Sequence, residues 1–398
     1  MMLSPMPSAL SEPSERSAEP DGITVLGVQF ASIRSLFAPM RDRAKLMFIH
    51  LNDWLNVARC KLNSDAFVQM EALAGVDWRE WRYPPGWANR LAPWIMPNVA
   101  ARVERAWRAR GWRNPRLVVT FPYFLPAVRA LGAERVIYYA VDNYQAYWPD
   151  RAAAICEREN ELIREAAASV AASSALANWF RERVPEAAAK IHYLPNGISP
   201  AMIPAAVVTN AVDDNRAQRF GQTNGPVVGC YGNIASGYGV EFLADVVERA
   251  PDFRFLLMGQ VLSETNPSYR QAIAYLKKRP NVVMTGRLEE PASLQFLCQC
   301  DVMIVPLPLT DQVRYSCPNR LWTYMATGRP IVSTPIPEVT KFGELIYAAT
   351  NIDEFVHALR CAAQENNPSM TEKRIAIAKQ HTWPVLAQRM WSILSAAN

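Results

Sequence analysis

This 398-residue sequence contains little glycine, no long apolar run and no strong excess of charge. Its 17 glycines make up about 4% of the residues, against about 7% in average proteins. No run approaches the roughly 18 apolar residues that a membrane-spanning helix needs, so none is predicted. The net charge is only +5, which excludes a protein whose main task is to coat nucleic acid.

Motifs for metal binding and for hydrolase chemistry are also missing. The four histidines are scattered with no His-x-x-x-His pair, and neither a D-x-D nor a G-x-S-x-G sequence occurs. The sequence therefore predicts no metal site and does not support a serine hydrolase. The seven cysteines are irregularly spaced, and only Cys298 and Cys300 lie close together. Such a set is typical of reduced cytosolic thiols.

Length and apolar content are what the chain does have. With 398 residues, half of them hydrophobic, it predicts two domains, or three, each with a core of its own. Residues 1–22 are polar, rich in proline and serine, and lack the apolar segment of a secretion signal. They predict a disordered tail, and the chain as a whole is expected to be cytoplasmic.

Short apolar segments alternate with helical segments along most of the chain. In the first series we predict strands at 23–28, 117–120, 135–141, 170–173 and 190–194, and helices at 152–168 and 175–183. Polar sequence interrupts the pattern, and residues 201–225 are the predicted linker. A second series has predicted strands at 227–231, 253–258, 281–285, 302–305 and 331–333, followed by helical stretches at 352–364 and 371–394. This alternation predicts an α/β protein with two parallel-sheet, nucleotide-fold-like halves.

A short, sharply bounded helix is predicted within Ser316–Pro330. Ser316 or Cys317 would cap its start, and Gly328 suits the left-handed residue past its end. Because it follows a predicted strand, its N-terminus would lie where open parallel sheets bind ligands and could receive a phosphate. Arg320 in the first turn could add a charge-assisted contact to a diphosphate. An ordinary packing helix with an exposed arginine is the alternative.

Four glycines fall within residues 229–239 of this glycine-poor chain, directly after a predicted strand. Their spacing matches neither the dinucleotide-binding G-x-G-x-x-G motif nor the P-loop, so bound NAD and ATP hydrolysis are not supported. The cluster predicts a close approach of the backbone to a ligand, or else a tight turn between a strand and a helix.

Asp142 directly follows the predicted strand RVIYYAV at 135–141. A carboxylate at the carboxyl end of a parallel strand would face the ligand-binding edge of the sheet, where it could accept a proton from a substrate hydroxyl. A helix cap or turn residue is the alternative, since many aspartates after strands have that role.

A series of segments resembles the two-domain GT-B glycosyltransferases, in particular bacterial exopolysaccharide and cell-surface glycan transferases, over residues 115–395. The matching segments run in family order: 138–143 (YYAVDN), 171–176 (AASSAL), 194–198 (LPNGI), 229–234 (GCYGNI), 255–259 (FLLMG), 281–287 (NVVMTGR), 301–306 (DVMIVP) and 317–335 (CPNRLWTYMATGRPIVSTP). The set is specific, although no segment is specific alone.

The resemblance implies a GT-B fold, in which two Rossmann-like domains face each other across a cleft. Residues 23–200 would bind the acceptor and residues 226–380 the nucleotide sugar, and residues 381–398 would cross back as a helix onto the first domain. The implied activity is that of a hexosyltransferase in surface polysaccharide synthesis. Its donor would be a nucleotide-diphosphate sugar, with UDP the expected nucleotide, and no cofactor or metal would be needed.

The resemblance also implies roles for individual residues. Asp142 falls where related inverting enzymes, such as xanthan glucuronosyltransferase, have their catalytic aspartate. Arg320 stands at the family's usual lysine, which contacts the donor phosphates. The remaining implied donor-binding residues are Gly232, Asn233, Gly286, Arg287, Ser316, Cys317 and Thr323.

The sequence departs from many relatives at a pair of glutamates eight positions apart, where it has Tyr315 and Thr323. Their absence argues against a retaining transferase that uses this pair on the donor sugar. It leaves an inverting mechanism based on Asp142, or a non-catalytic GT-B subunit that binds a partner or a sugar nucleotide. A sugar-nucleotide epimerase shares the fold, but we find no set of ionisable residues around the predicted helix that suits one.

Tryptophan and arginine are concentrated between residues 76 and 116, and nine arginines against two glutamates give residues 78–116 a local charge of +7. This mixture is typical of contacts with a membrane surface, whereas no RNA-binding motif accompanies it. The predicted contact residues are Trp78, Trp81, Arg82, Trp87 and Trp94. They would bring the enzyme to the inner face of the cytoplasmic membrane, to a polyprenyl-diphosphate-linked or glycan acceptor. Core tryptophans beside solvated arginines are the alternative.

Overall fold

The structure is a computed structural model that describes residues 19–27, 31–53, 75–84, 91–204, 225–263, 266–288 and 292–397. The predicted tail before residue 19, Trp87, and residues 205–224 of the predicted linker lie outside the described residues.

The first sheet has seven parallel strands in the described part of the chain, in the order β3-β2-β1-β4-β5-β6-β7. The strands are β1 (Gly22–Leu26), β2 (Lys45–Asp53), β3 (Val76–Tyr83), β4 (Pro115–Val119), β5 (Val136–Ala140), β6 (Ala168–Ala171) and β7 (Ile191–Tyr193). All residues of β1, β4, β5 and β6 are buried. These central strands can be almost wholly apolar because neither face of a parallel sheet meets solvent.

Helices connect and cover these strands. They are α1 (Ala31–Phe37), α2 (Ala92–Ala109), α3 (Leu125–Leu131), α4 (Tyr144–Tyr147), α5 (Ala152–Glu165) and α6 (Ser174–Arg183). Side-chain caps define two of the starts: Asn143 accepts a hydrogen bond from the Gln145 amide, and Ser173 accepts one from the Leu176 amide. Such caps satisfy amides that the first turn of a helix leaves without partners.

The second sheet has six parallel strands among the described residues, in the order β10-β9-β8-β11-β12-β13. The strands are β8 (Val227–Tyr231), β9 (Arg254–Met258), β10 (Val282–Gly286), β11 (Val302–Val305), β12 (Ile331–Ser333) and β13 (Ile346–Ala348). The accompanying helices are α7 (Val240–Arg249), α8 (Pro267–Lys277), α9 (Ala292–Cys298), α10 (Asp311–Arg314), α11 (Arg320–Thr327), α12 (Pro337–Thr340), α13 (Ile352–Ala363), α14 (Pro368–Gln380) and α15 (Trp383–Ala396).

Both sheets reverse their strand order at one point, between β1 and β4 in the first and between β8 and β11 in the second. At such a switch point the connections leave the sheet in opposite directions and open a crevice at the carboxyl ends of the strands. The predicted GT-B architecture of two Rossmann-like domains is therefore confirmed.

Two parts of the sequence differ from their prediction. The single helical stretch predicted at 371–394 is two helices, α14 and α15, separated at His381 and Thr382. Pro384 in the first turn of α15 favours a new start there, because proline has no amide to continue the preceding helix. Strands β2 and β3 were not predicted as such, because they lie in the segments with mixed hydropathy.

The final helix α15 packs against the first domain, although it follows the second sheet in the chain. Leu386, Met390 and Leu394 are fully buried in the core that surrounds the first sheet. The Arg116 guanidinium on β4 donates a 3.0 Å hydrogen bond to the Leu394 carbonyl. Helix α15 thus connects the two domains, in addition to the direct contacts between them.

Direct contacts between the domains centre on Glu338, a fully buried carboxylate on α12. It accepts hydrogen bonds from the amide and the hydroxyl of Ser174, both at 2.8 Å, and from the Tyr193 hydroxyl at 2.5 Å. Lys341 forms an ion pair with it at 2.6 Å. Buried charge is stable only when paired and hydrogen-bonded, so this cluster fixes how the two domains meet.

Candidate functional site

A cleft of about 540 Å³ lies between the two domains, at the carboxyl ends of both sets of strands. The first domain contributes the end of β5, helix α4 and residues 196–199, and the second contributes the loop after β8 and the start of α11. Seven predicted site residues line it: Asp142, Gly232, Asn233, Ser316, Cys317, Arg320 and Thr323. Residues far apart in sequence meet here because both switch points open toward the same space.

Asp142 lies two residues after the end of β5 and is half-buried in the cleft wall. Burial raises the pKa of its carboxyl above the ordinary value of 3.8, while hydrogen bonds from the Tyr147 hydroxyl and the Asn143 amide lower it. The alternative role of helix cap falls instead to Asn143, which caps α4. A raised pKa brings a carboxylate closer to the range where it can take a proton from a hydroxyl.

Tyr147 on α4 was not predicted as a site residue, yet it touches Asp142 directly. Its hydroxyl donates a 2.6 Å hydrogen bond to Asp142 Oδ2. Gln312 on α10 of the other domain lies close enough to influence the pKa of this hydroxyl. Burial first, and then the charge of Asp142, raise the pKa of Tyr147, so its hydroxyl remains a proton donor. Only its three-dimensional position distinguishes it from other tyrosines of the sequence.

Arg320 forms the opposite, second-domain side of the cleft and is only 8% exposed. Its guanidinium donates a weak 3.7 Å hydrogen bond to Cys230 Sγ and lies 5.4 Å from the centre of the Tyr238 ring. Among the described residues no carboxylate pairs with it. Because buried arginines are otherwise paired, this one fits an anion that enters from the cleft.

Gly232 shows why the glycine cluster is needed. Its φ of +120° is a conformation that other residues rarely adopt, and a Cβ there would lie 2.9 Å from Arg320 Nη2. At neighbouring Gly259 a Cβ would lie 1.9 Å from the Gly232 carbonyl oxygen. The backbone after β8 therefore passes close to the guanidinium, and any side chain at 232 would displace it.

Helix α11 begins at Arg320 after Asn319, which makes no side-chain cap, so the predicted cap at Ser316 or Cys317 is wrong. The Ser316 hydroxyl donates instead to the Val313 carbonyl at 2.9 Å, and the Cys317 carbonyl accepts from Asn196 Nδ2 at 2.9 Å. The Leu321 and Trp322 amides of the first turn already donate to the Pro318 and Asn319 carbonyls, so the start of the helix offers an anion the positive end of its dipole rather than a row of free amides. The prediction for the helix end is confirmed, since Gly328 has a φ of +70°.

Two predicted donor-binding residues do not line the cleft. Gly286 ends β10, and Arg287 follows it, at the edge of the second sheet. Strands β9 and β8 separate β10 from the switch point. The strand order therefore explains why Gly286 and Arg287 lie away from the cleft.

The positions of the missing glutamate pair have separate surroundings. Tyr315 stacks on Trp179 of the first domain with ring centres 4.5 Å apart, and its carbonyl accepts from the Ser173 hydroxyl at 2.6 Å. Thr323 remains at the cleft. Tyr315 thus joins the domains, a contact that a charged glutamate would not make.

The predicted membrane-contact residues do not form one surface. Trp81 is 5% exposed and lies under the Arg102 guanidinium at 4.0 Å, and half-buried Trp78 packs edge-on against Phe48. Because Trp81 is buried, the prediction that it contacts a membrane surface is wrong. Arg82 is exposed beside Glu80, whereas Trp94 on α2 is 79% exposed. Among the described members of this set, Trp81 belongs to the core and Trp94 projects from the surface; contact with a membrane stays a prediction.

The described ranges hold no candidate metal site and no candidate membrane-spanning helix. Across those residues no group of three or more His, Cys, Asp or Glu side chains could hold a metal ion. No described helix is long and apolar enough to cross a bilayer.

Comparisons with known proteins agree with this architecture. Residues 225–365 match the family described as glycosyl transferases group 1. Over 285 residues the chain is 24% identical to a protein of Bacillus subtilis (strain 168) named as a teichuronic acid biosynthesis glycosyltransferase, TuaH, covering 68% of this chain and 69% of that one.

Solved structures share the fold at lower identity. Anabaena Alr3699/HepE in complex with UDP and glucose aligns with a TM-score of 0.66 and 14% identity, over 95% of this chain and 100% of that one. A UDP-forming trehalose-phosphate synthase from Burkholderia xenovorans aligns with a TM-score of 0.67 and 11% identity, over 95% and 99% of the two chains.

The two sheets and the cleft between them define the GT-B fold. The match of the second domain to glycosyl transferases group 1, together with the Bacillus relative, supports a glycosyltransferase of the hexosyltransferase type.

Proposed function

We propose that this enzyme transfers a hexose from a UDP-sugar to a hydroxyl of a lipid-linked or glycan acceptor, with inversion at the anomeric carbon and without a metal ion. One observation carries the proposal: the buried Arg320, which pairs with no carboxylate that the structure describes, and the half-buried Asp142 line the same cleft from different domains. An anion receptor and a base in one cleft are what an inverting transferase requires.

The second domain would hold the nucleoside diphosphate. Arg320 and the positive end of the α11 dipole offer positive charge to the diphosphate, and Gly232 allows the backbone to come close. This positive charge would neutralise the diphosphate, as a metal ion does in other transferases. UDP is the proposed nucleotide because the Anabaena and Burkholderia structures of the same fold are described with UDP or as UDP-forming.

The first domain would supply the base. Asp142 takes the proton of the acceptor hydroxyl while the acceptor oxygen forms a bond to the anomeric carbon. The bond from that carbon to the diphosphate oxygen breaks, and its electron pair leaves with the nucleoside diphosphate. Arg320 stabilises the negative charge that develops on the departing oxygen. Tyr147 holds the carboxylate in place through its 2.6 Å hydrogen bond.

The proposed acceptor belongs to surface polysaccharide synthesis at the inner face of the cytoplasmic membrane. The name of the Bacillus subtilis relative, teichuronic acid biosynthesis, supports that setting. On α2, Trp94 is exposed on the same side as Arg105 and Arg108. An exposed tryptophan with nearby arginines suits the headgroup region of an anionic membrane.

A non-catalytic subunit is the second candidate, favoured by the absence of carboxylates at Tyr315 and Thr323. It would bind a sugar nucleotide or a partner in the same cleft without transfer. The experiment is to incubate the full-length protein and membrane-extracted acceptor with UDP-, GDP- and dTDP-sugars, with and without EDTA, and to measure nucleoside diphosphate release.

We expect acceptor-dependent release from a UDP-sugar that EDTA does not abolish, and a product of inverted anomeric configuration by NMR. Retained configuration or complete loss with EDTA would contradict the proposed mechanism. Binding of UDP by calorimetry without release from any donor would instead establish the non-catalytic subunit.

A further inference from the structure

A second cavity, of about 110 Å³, opens on the first domain beside the cleft. Its walls are mainly aromatic: Phe121 stacks on Tyr123 with ring centres 5.1 Å apart and packs at a tilt against Tyr144 at 4.6 Å. Trp148 completes the rim with 45% of its surface exposed. The cavity is smaller than the roughly 150 Å³ cavity that accommodates benzene, so the pocket can take part of one ring through its open rim and excludes a long chain.

Two arginines, Arg151 and Arg158, border this aromatic pocket. Arg151, Ile155 and Arg158 are spaced by four and three residues, which brings them onto one side of α5 and its preceding turn. Neither guanidinium forms a hydrogen bond or an ion pair with any residue that the structure describes. The adjacent carboxylate, Glu159, is already paired with Arg183 at 2.6 Å. The charge at the pocket rim is therefore positive and unopposed.

The pocket is joined to the cleft by α4. Tyr144, at the start of this helix, lines the pocket, and Tyr147, at its end, lines the cleft beside Asp142. Four helical residues span about 6 Å, which is comparable to the length of one sugar unit. A glycan with one unit in the pocket could therefore present a neighbouring hydroxyl to Asp142.

We infer that this pocket binds an acidic sugar unit of the acceptor, a pyranose that carries a carboxylate or a phosphate. The aromatic walls would pack against the C–H face of the ring, and Arg151 and Arg158 would bind the acidic group in the forked geometry that guanidinium groups prefer. The pocket's part in acceptor recognition rests on the proposed function, whereas its affinity for acidic sugars can be measured without any transfer.

The test is calorimetry on the full-length protein with glucuronate, glucose 6-phosphate, glucose and inorganic phosphate. We expect at least one acidic sugar to bind ten times more tightly than glucose. If glucuronate binds more tightly than glucose 6-phosphate, the acidic group is a carboxylate, and in the opposite case it is a phosphate. The double variant R151Q/R158Q should lose this preference. The control R164Q alters an exposed arginine on the same helix, outside the pocket, and should keep it.

Three results would overturn the inference. Glucose could bind as tightly as both acidic sugars, the preference could survive in R151Q/R158Q, or inorganic phosphate could match the tightest sugar, which would mean that the ring contributes nothing. UDP titrated into the same samples separates the two proposals. Normal UDP binding without acidic-sugar preference refutes only the pocket, and the reverse result refutes only the proposed donor site.

Discussion

The Tyr147 hydroxyl donates a 2.6 Å hydrogen bond to Asp142 Oδ2, within a cleft whose other side carries Arg320. Gln312 of the second domain lines the same cleft and influences the pKa of Tyr147, so both domains contribute to the surroundings of this pair. The hydrogen bond stabilises the ionised form of Asp142, which is the form that can accept a proton. The position and the ionisation of the proposed base are thus set by a residue that the sequence did not reveal.

Replacing Asp142 with asparagine should remove activity and leave the protein folded. General bases contribute about 10²- to 10⁴-fold, so D142N should lose at least 100-fold in kcat with unchanged UDP affinity. Because burial raises the folded pKa of this carboxyl above its unfolded value, its ionisation opposes folding above that pKa. The melting temperature of D142N at pH 7 should therefore equal or exceed that of the wild type. Unchanged turnover in folded D142N would disprove the assignment.

Replacing Tyr147 with phenylalanine should shift the acid limb of the pH–rate profile. Activity of the wild type should rise with pH as Asp142 ionises. Y147F removes a hydrogen bond to the carboxylate and should raise the pKa of Asp142 further, so half-maximal kcat/KM moves to higher pH. Y238F alters another cleft tyrosine that makes no contact with Asp142 and is the control. An acid limb of Y147F that stays in place would show that the hydrogen bond has no influence on the base.

Replacing Arg320 with glutamine should weaken UDP binding. A charge-assisted hydrogen bond contributes about 1.5–3 kcal/mol, so the Kd of R320Q for UDP should rise by about 10- to 100-fold, with a smaller change for uridine. R314Q is the matched control, since Arg314 is exposed on neighbouring α10 and does not line the cleft. Equal losses for UDP and uridine would place Arg320 away from the phosphates.

Replacing Glu338 with glutamine should destabilise the contact between the domains. The variant leaves Lys341 without its ion-pair partner and perturbs the hydrogen bonds from Ser174 and Tyr193. We expect a loss on the order of 2–3 kcal/mol in the free energy of unfolding, measured by urea denaturation. E344Q, which affects an exposed pair with Lys373, should change stability by less than about 0.5 kcal/mol. A loss no greater than that of E344Q would contradict the role of Glu338.

Replacing Trp94 with alanine should weaken binding to anionic vesicles. Its ring is 79% exposed, and losing interfacial burial worth roughly 1 kcal/mol should lower the partition coefficient about fivefold. W148A removes a different exposed tryptophan, at the aromatic pocket, and should bind vesicles like the wild type. Sedimentation with vesicles of phosphatidylglycerol and phosphatidylcholine measures the effect. Equal binding of W94A and wild type would exclude α2 as the contact surface.

Much of the architecture could be predicted because strands of parallel sheets are short, apolar and regularly spaced. The predicted strands at 227–231, 302–305 and 331–333 have the observed bounds. Segments without that simple pattern were not predicted as strands. One of them is β3, which lies at an edge of its sheet and has mostly half-buried or exposed residues. An edge strand has one neighbour and no need for a continuous apolar run, so hydropathy alone does not reveal it.

The sequence by itself determined the two-domain α/β fold and selected Asp142, Gly232 and Arg320, because these features depend on local patterns beside strand ends. Only the tertiary structure decided which selected residues share the cleft, separating Gly286 from it and burying Trp81. It also brought Tyr147 to Asp142 and left Arg320 without a carboxylate partner among the described residues. Strand order, burial and pairing depend on contacts between distant segments, and no local pattern encodes them.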